Sequence, residues 1–223
     1  MMAAASGNNP HDLAISGIPA AALSNCLREH EQADALAARS LELSEKHQFS
    51  PEAAHSRCVL GQARAQLGRP TEGVALIRQG IASLLEAGLR LVIPTYTAWL
   101  AEAREREGAI VEALATVEQA LQANPDQLVH RPEALRLRGE LRLKQGQTEL
   151  AEADFRESVA LAQKMSAKAW ELRATMSLAR LLRDTNRRDE ARAMLAEIYG
   201  WFTEGFDTAD LKDAKALLDE WNR

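Results

Sequence analysis

Aromatic residues and cysteine are scarce in this chain of 223 residues. Phe, Trp and Tyr together make up 4% of the sequence, and the only cysteines are Cys26 and Cys58. Strands are usually rich in aromatic and β-branched side chains, so this composition argues against a β-sandwich or a β-barrel. Two cysteines do not make the disulfide framework of a small secreted domain, which favours a reduced, cytoplasmic protein.

Long apolar runs and a strong charge of one sign are missing too. No stretch approaches the ~20 apolar residues of a membrane-spanning helix, and the first ten residues contain no apolar core of a secretory signal. Lys and Arg number 27 against 32 Asp and Glu, a formal net charge of −5. Nucleic acids and membrane surfaces attract basic proteins, so this balance predicts that neither is a partner.

The motifs of common catalytic and cofactor sites are missing as well. The sequence contains no Gly-Lys pair for a phosphate-binding loop, no Gly-x-Gly-x-x-Gly fingerprint and no Gly-x-Ser-x-Gly elbow. His55 and Cys58 are three positions apart on a predicted helix and, with Cys26, could supply three metal ligands. No fourth ligand accompanies them, and cysteine is more often a small core residue. We therefore predict a protein that is not an enzyme and that holds neither cofactor nor metal.

Small residues recur at a fixed spacing and predict a series of helical hairpins. In four segments a small residue is followed twelve positions later by Ala or Gly, and four positions after that by a large apolar residue. Small residues let two helix backbones approach closely, and the large residue lies on the same face one turn later. The segments are Gly61, Gly73 and Ile77; Ala101, Ala113 and Val117; Gly139, Ala151 and Phe155; Ala179, Ala191 and Leu195; and, more weakly, Asn25, Ala37 and Leu41.

Turn signals divide the sequence into eleven predicted helices. Gly68, Gly108, Gly146 and Asn186 stand between paired helices, where a residue that tolerates a left-handed backbone ends the first helix. The first helix is predicted over 18–30, close to Pro19. We expect residues 1–10 to be disordered, residues 11–206 to form the repeats and residues 207–223 to form a capping helix.

These spacings resemble those of the tetratricopeptide family. The residues that follow the family's positions in order are Leu100, Ala101, Ala113, Val117, Ala120 and Pro125, and then Leu178, Ala179, Ala191 and Leu195. The family's period is about 34 residues, and the hairpins here are longer than that. The resemblance implies an all-α, right-handed superhelical solenoid of about five hairpins plus a C-terminal capping helix. The first helix of each hairpin would line its concave face.

A narrower resemblance covers residues 131–220. The runs EALRLRGEL from Glu133 and YGWFTEGFDTADLKDAKALL from Tyr199 are similar to the C-terminal region of certain large bacterial proteins. Those proteins carry an adenylate/guanylate cyclase or winged-helix module followed by a signal-transduction ATPase module. The resemblance implies a protein-interaction or regulatory module, the sensor end of such a protein without its catalytic modules. The alternative is a small-molecule sensor that binds an inducer in the superhelical groove.

The tetratricopeptide groove positions, carried onto this sequence, give candidate binding residues. They are Arg136 and Glu140 in the fourth hairpin and Arg173, Met176 and Arg180 in the fifth. Three guanidiniums on one concave surface would suit a carboxylate or phosphate group, which predicts a protein or peptide partner with acidic groups. The alternative is that Glu133 and Glu140 pair with these arginines as structural salt bridges. The same positions in the second and third hairpins are His55, Cys58, Gln62, Thr95, Ala98 and Glu102.

Apolar residues stand at both ends of the repeats. Ile18, Leu23 and Leu27 have no preceding repeat to cover them, which predicts weak self-association through residues 12–48. At the other end an aromatic cluster forms either a docking patch for a partner or a hydrophobic lid with an apolar stripe on the last helix. The cluster is Trp201, Phe202 and Phe206, and the stripe is Leu211, Ala214, Leu217, Leu218 and Trp221.

Overall fold

Helices account for all the regular secondary structure in the part of the chain that the structure describes. The structure is a computed structural model, and it describes residues 9–123 and 129–221. These residues form eleven α-helices and no strand, which confirms the predicted all-α class. The helices are α1 (Pro10–Cys26), α2 (His30–Lys46), α3 (Ser50–Gln66), α4 (Pro70–Glu86), α5 (Ile93–Arg106), α6 (Ile110–Ala123), α7 (Arg131–Lys144), α8 (Thr148–Lys164), α9 (Lys168–Asp184), α10 (Arg188–Trp201) and α11 (Ala209–Trp221).

Two of the predictions from sequence fall on residues outside that part of the chain. They are the disorder expected for residues 1–10, as far as it concerns residues 1–8, and the position of Pro125 in the tetratricopeptide pattern. None of the helices described is long and apolar enough to cross a membrane.

The first helix, α1, begins well before the predicted start at residue 18. Pro10 occupies its first turn, and the Asn9 side chain accepts a hydrogen bond from the His11 amide at 3.0 Å. Pro19 lies inside the helix. The predicted range of 18–30 was therefore wrong. A proline inside a helix removes one backbone hydrogen bond, but it does not have to mark an end.

Eight of the turns between the described helices share one backbone geometry. In each turn a residue with positive φ donates its amide to the carbonyl three positions earlier, and the next amide bonds to the carbonyl five positions earlier. This is the Schellman motif, which satisfies the last carbonyls of a helix. The positive-φ residues are Arg28, Gln48, Gly68, Gly88, Gly108, Gly146, Ser166 and Asn186. They confirm the turns predicted at Gly68, Gly108, Gly146 and Asn186. They also recur at one constant interval, apart from the step between Gly108 and Gly146, so the helices with their turns are of equal length.

The chain divides into two compact units, residues 1–116 and 117–223. In the first unit each helix from α1 to α5 packs on the next, and α3 also contacts α1 and α5. The backbones of α3 and α4 touch at Gly61 and Gly73: a Cβ atom on Gly73 would lie 2.5 Å from the carbonyl oxygen of Gly61. Ile77 is fully buried beside this contact. The predicted spacing of Gly61, Gly73 and Ile77 is therefore confirmed.

The positions of the first hairpin that correspond to Gly61 and Gly73 lie one helical turn before the predicted ones. Ala21 and Ala33 are fully buried and occupy the positions equivalent to Gly61 and Gly73, one hairpin earlier. The position predicted for this contact, Asn25, was therefore wrong by one turn. The Asn25 side chain instead donates a hydrogen bond to the Val59 carbonyl at 3.1 Å.

In the second unit, α8 packs on α7 and α9, and α10 and α11 complete the core. Phe155 is fully buried there with Ala179 and Leu195, as the repeat frame predicts. A Cβ atom on Gly139 would lie 2.5 Å from the Phe155 ring, so the missing side chain of Gly139 makes room for that ring.

The last helix, α11, packs on α9 and α10 and closes this core. Its predicted apolar stripe is confirmed, because Leu211, Ala214 and Trp221 are buried and Leu217 and Leu218 are partly buried. The aromatic cluster before α11 is divided. Phe202 packs partly against the core, whereas Trp201 and Phe206 are 57% and 46% exposed.

Candidate functional site

Charged side chains join α7 to α9 in the second unit. Arg136 binds the Glu133 carboxylate through two hydrogen bonds, at 2.9 Å from Nε and 2.5 Å from Nη2, and also contacts Glu140. Ser177 of α9 donates to Glu140 Oε1 at 3.0 Å. Arg180 lies one turn further along α9. We call this surface the α7–α9 face, which consists of Glu133, Arg136, Glu140, Ser177 and Arg180.

Arg136 is neutralised within this face. Burial alone would raise the pKa of Glu133, but the adjacent Arg136, helped by Arg173 and His130, holds that pKa below its ordinary value. Glu133 is therefore ionised at neutral pH. With Glu140 on its other side, the guanidinium of Arg136 has two carboxylate partners. This arrangement matches the structural salt bridge that the sequence offered as the alternative.

Arg180 has a different environment. Its side chain is partly buried, yet it makes no direct hydrogen bond or ion pair within residues 9–123 and 129–221. Burial lowers its pKa from the ordinary arginine value, while Glu140 and Asp213 act on it in the opposite direction. Arginine remains protonated in proteins all the same. The α7–α9 face therefore carries a partly desolvated positive charge that no directly contacting carboxylate among the described residues offsets.

The other two predicted residues are engaged within the fold. Arg173 Nε donates to Asp210 Oδ2 of α11 at 2.6 Å, and its guanidinium lies 5.1 Å from the centre of the Trp170 ring. Met176 is 4% exposed and packs in the core with Phe155, not on the accessible surface where its groove position had been predicted. The structure thus brings Arg136, Glu140 and Arg180 together, places Arg173 close enough to act on Glu133 while it binds Asp210, and buries Met176 in the core.

Two residues of this region were not found from the sequence. Ser177 links α9 to α7 through its hydrogen bond to Glu140, and Asp210 forms an ion pair with Arg173. A weak signal for Ser177 was present, since Ser177 and Thr175 are the two polar residues among the otherwise apolar residues 174–179. Asp210 is far from Arg173 in the sequence, and no local spacing relates the two.

The same helix positions in the first unit form a second polar network. His55 Nδ1 lies 2.9 Å from the Tyr96 hydroxyl, and the side-chain amides of Gln62 and Gln66 donate to the two oxygens of Glu102 at 2.5 and 2.7 Å. Burial lowers the pKa of His55, against an opposing effect of Glu52, so His55 is neutral at neutral pH. We call this surface the α3–α5 face. It consists of His55, Gln62, Gln66, Tyr96 and Glu102, which are joined by these hydrogen bonds, while Gln62 Oε1 is buried without a hydrogen-bond partner among the described residues.

Cys58 does not belong to the α3–α5 face. It is fully buried in the core, and burial raises the pKa of its thiol. A thiol that stays protonated is a poor nucleophile and a poor metal ligand. Among the residues described, no group of three or more His, Cys, Asp and Glu side chains could hold a metal ion.

Comparison with known proteins identifies the fold. No family model and no curated protein sequence matches the chain. Many solved structures match it, and the following three are among them. A thermophilic TPR protein from Thermus thermophilus matches 94% of this chain with 98% of its own, at a TM-score of 0.66 and 18% identity. The apo form of the quorum sensor NprR from B. thuringiensis matches 95% of this chain with 60% of its own chain, at a TM-score of 0.71 and 14% sequence identity. PilF of Pseudomonas aeruginosa matches 96% of this chain with 90% of its own chain, at a TM-score of 0.61 and 14% sequence identity.

The fold is tetratricopeptide-like. The predicted resemblance to that family's helical hairpins is therefore confirmed. At these identities the similarity establishes the fold alone. The similarity does not support the predicted cyclase, winged-helix or ATPase context.

Proposed function

We propose that this chain is a non-enzymatic module that binds a protein or peptide partner, and that the α7–α9 face is part of its binding surface. The observation that supports this function is Arg180, a partly buried positive charge without a directly bound counter-ion among the described residues. A carboxylate or phosphate of a partner would supply that counter-ion. Stacked helical hairpins present extended surfaces of this kind to partners.

The surroundings of Arg180 define which acidic partner fits. Glu133 and Glu140 already neutralise Arg136, and their charges repel any acid that approaches that side of the face. An acidic group therefore binds only where it reaches Arg180 directly. Arginine offers a planar fork that holds a carboxylate through two parallel hydrogen bonds, so the fit depends on position as well as on charge.

We propose further that the module acts in the cytoplasm as the sensor end of a bacterial signalling ATPase or cyclase. The sequence resemblance of residues 131–220 supports this context. Part of the resembling segment has a structural role here, because Asp210 anchors Arg173 and Leu211 enters the core. Sequencing the neighbouring reading frame tests the idea. An ATPase, cyclase or winged-helix module in frame with this chain is expected, and its absence on both sides would contradict it.

The binding proposal is tested with a displayed library of random peptides selected on the purified protein. We expect enrichment of peptides with Asp, Glu or a free C-terminal carboxylate at a fixed position. Arg180→Ala should weaken the binding of a selected peptide about tenfold or more, because a hydrogen bond to a charged group contributes ~1.5–3 kcal/mol. Affinity is measured by calorimetry at low and high salt.

The matched control is Arg192→Ala. Arg192 is exposed on α10, so the change removes the same charge away from the face. It should leave the affinity of the selected peptide unchanged. Arg180→Ala should also melt close to the wild type, since no direct ion pair within the described residues is lost. Equal affinity of wild type and Arg180→Ala for every selected peptide would refute the assignment of this face.

A further inference from the structure

An apolar stripe on α1 remains exposed in the first unit. Leu13, Leu23 and Leu27 are 37%, 60% and 41% exposed, and Ser16 and Ala20 are exposed between them. The five residues are spaced by three, four, three and four positions, which is the heptad pattern that places them on one face of a helix. We call this set the α1 stripe: Leu13, Ser16, Ala20, Leu23 and Leu27.

The same face is buried in the next hairpin. The equivalents of the first four members of the stripe lie on α3 and are 0% to 5% exposed; they are Ala53, Ser56, Leu60 and Ala63. Leu60 shares its core cluster with Ala21 of α1 and Ala37 of α2, so this face of α3 packs against the preceding hairpin. The repeat geometry therefore makes the α1 stripe a face that accepts another helix.

We propose that the α1 stripe binds the α1 stripe of a second copy of this chain, with the two helices antiparallel about a twofold axis near Ala20. The two ends of the stripe are equidistant from that residue, because Leu13 and Leu27 stand seven positions to either side. A twofold interface requires a surface that is complementary to itself. The small Ala20 at the centre lets the two helices approach closely.

The helix dipoles favour the antiparallel direction, because antiparallel helices bring opposite ends of their dipoles side by side.

The contact is a weak one. A single helix face is smaller than the ~800 Å² per partner of a standard interface. We therefore expect a rapid, concentration-dependent equilibrium between monomer and dimer. The proposal does not depend on the α7–α9 face, and Arg180→Ala should leave it unchanged.

Sedimentation velocity across a wide range of protein concentration tests the pairing. The wild type should shift from monomer to dimer as its concentration rises. Leu23→Glu places two carboxylates in the apolar contact and should keep the protein monomeric at every concentration. Since Leu23 is 60% exposed in the monomer, the melting temperature of a dilute sample should stay near the wild-type value. The matched control is Leu150→Glu on α8, where Leu150 is 51% exposed, and this variant should dimerise like the wild type.

A cysteine at the centre of the stripe tests whether the two stripes meet near Ala20. In a Cys26→Ser background, Ala20→Cys should form a disulfide-linked dimer under mild oxidation, whereas Leu150→Cys should not. A wild type that is monomeric at every concentration would overturn the proposal. A Leu23→Glu variant that dimerises as well as the wild type, or equal crosslinking of the two cysteine variants, would overturn it too.

Discussion

The hairpins α3–α4 and α7–α8 occupy equivalent places in the repeat, one in each unit, yet they solve the same packing problem differently. In the first, Gly61 and Gly73 face each other and the two backbones are in contact. In the second, the ring of Phe155 fills the space beside Gly139. One small residue on each helix thus serves two purposes. It brings backbones together in the first unit and makes a pocket for a ring in the second.

The two hairpins differ in which part of the structure can move when a substitution disturbs the packing. A backbone contact can be relieved only by moving a whole helix, whereas a side chain can change its rotamer or be exchanged for a smaller one. We therefore expect substitutions in the two hairpins to differ in size and in how far a second change can correct them.

Phe155→Ala should have the largest effect on stability. The side chain is fully buried, and its removal leaves a cavity that the neighbouring helices cannot fill completely. We expect the free energy of unfolding to fall by ~3–5 kcal/mol. Chemical denaturation followed by circular dichroism measures the change. Leu150→Ala, on the same helix at a 51% exposed position, is the control and should have little effect. A loss as small as that of the control would mean that Phe155 does not fill the core.

Gly73→Ala should come next. The new Cβ would lie 2.5 Å from the Gly61 carbonyl oxygen and 2.9 Å from the Ala65 Cβ, so α3 and α4 would have to separate. Overpacking of this kind costs ~1–3 kcal/mol, and we expect the upper part of that range. The control is Gly200→Ala in α10, where an added Cβ would meet no atom within 4 Å. That change should stabilise the protein by up to ~1 kcal/mol, because alanine favours a helix over glycine. Thermal melts that rank the two variants the other way would contradict the backbone contact.

Gly139→Ala should be milder and, unlike Gly73→Ala, correctable. Its Cβ would meet the Phe155 ring at 2.5 Å, and a smaller residue at 155 would remove that conflict. In a double-mutant cycle with Phe155→Leu, the two changes together should cost less than the sum of the single changes, by ~0.5 kcal/mol or more. Strict additivity would show that the two positions do not share this space.

The smallest effect should come from pH. Burial lowers the pKa of His55 from its ordinary value of 6.5, so the unfolded chain binds a proton more readily than the folded one. Stability should be unaffected above that ordinary value, decrease as the pH falls below it, and level off below the pKa of the folded state. His55→Asn should flatten this part of the profile, and melting temperatures across the range measure it. Burial also lowers the pKa of His130 in the second unit, so His55→Asn should remove only part of the pH dependence of stability. A profile identical to that of the wild type would rule out protonation of His55 as a cause.

Local spacing predicted much of the fold and less of the candidate site. The contact of Gly61 with Gly73 follows from a spacing of twelve positions, and the pairing of Arg136 with Glu133 lies within one helical turn. The contact of Arg173 with Asp210 depends on how α11 returns onto α9, and no periodicity contains that information. The burial of Met176 likewise depends on helices that are distant in sequence.

The start of α1 was missed for a different reason. Its signal, Asn9 followed by Pro10, is a local one. The competing signal, Pro19, favours a later start, but tertiary packing on α2 holds the helix together across Pro19. Gly17 in fact makes a close approach, since a Cβ there would lie 2.1 Å from the Ser40 hydroxyl.

The uniform Schellman turns also determine in what lengths this gene can be edited. Every helix with its turn has the same length over most of the chain, while the first and second helices of a hairpin bury different faces. Deleting or duplicating a whole hairpin between equivalent turns, such as Gly68 and Gly108, leaves every remaining helix in its own role. Removing a single helix with its turn would place every following first helix at a second-helix position, and every following second helix at a first-helix position. Length variation among natural homologues and in recombinant libraries should therefore occur in whole hairpins. A mapped set of viable deletions would display that step size directly.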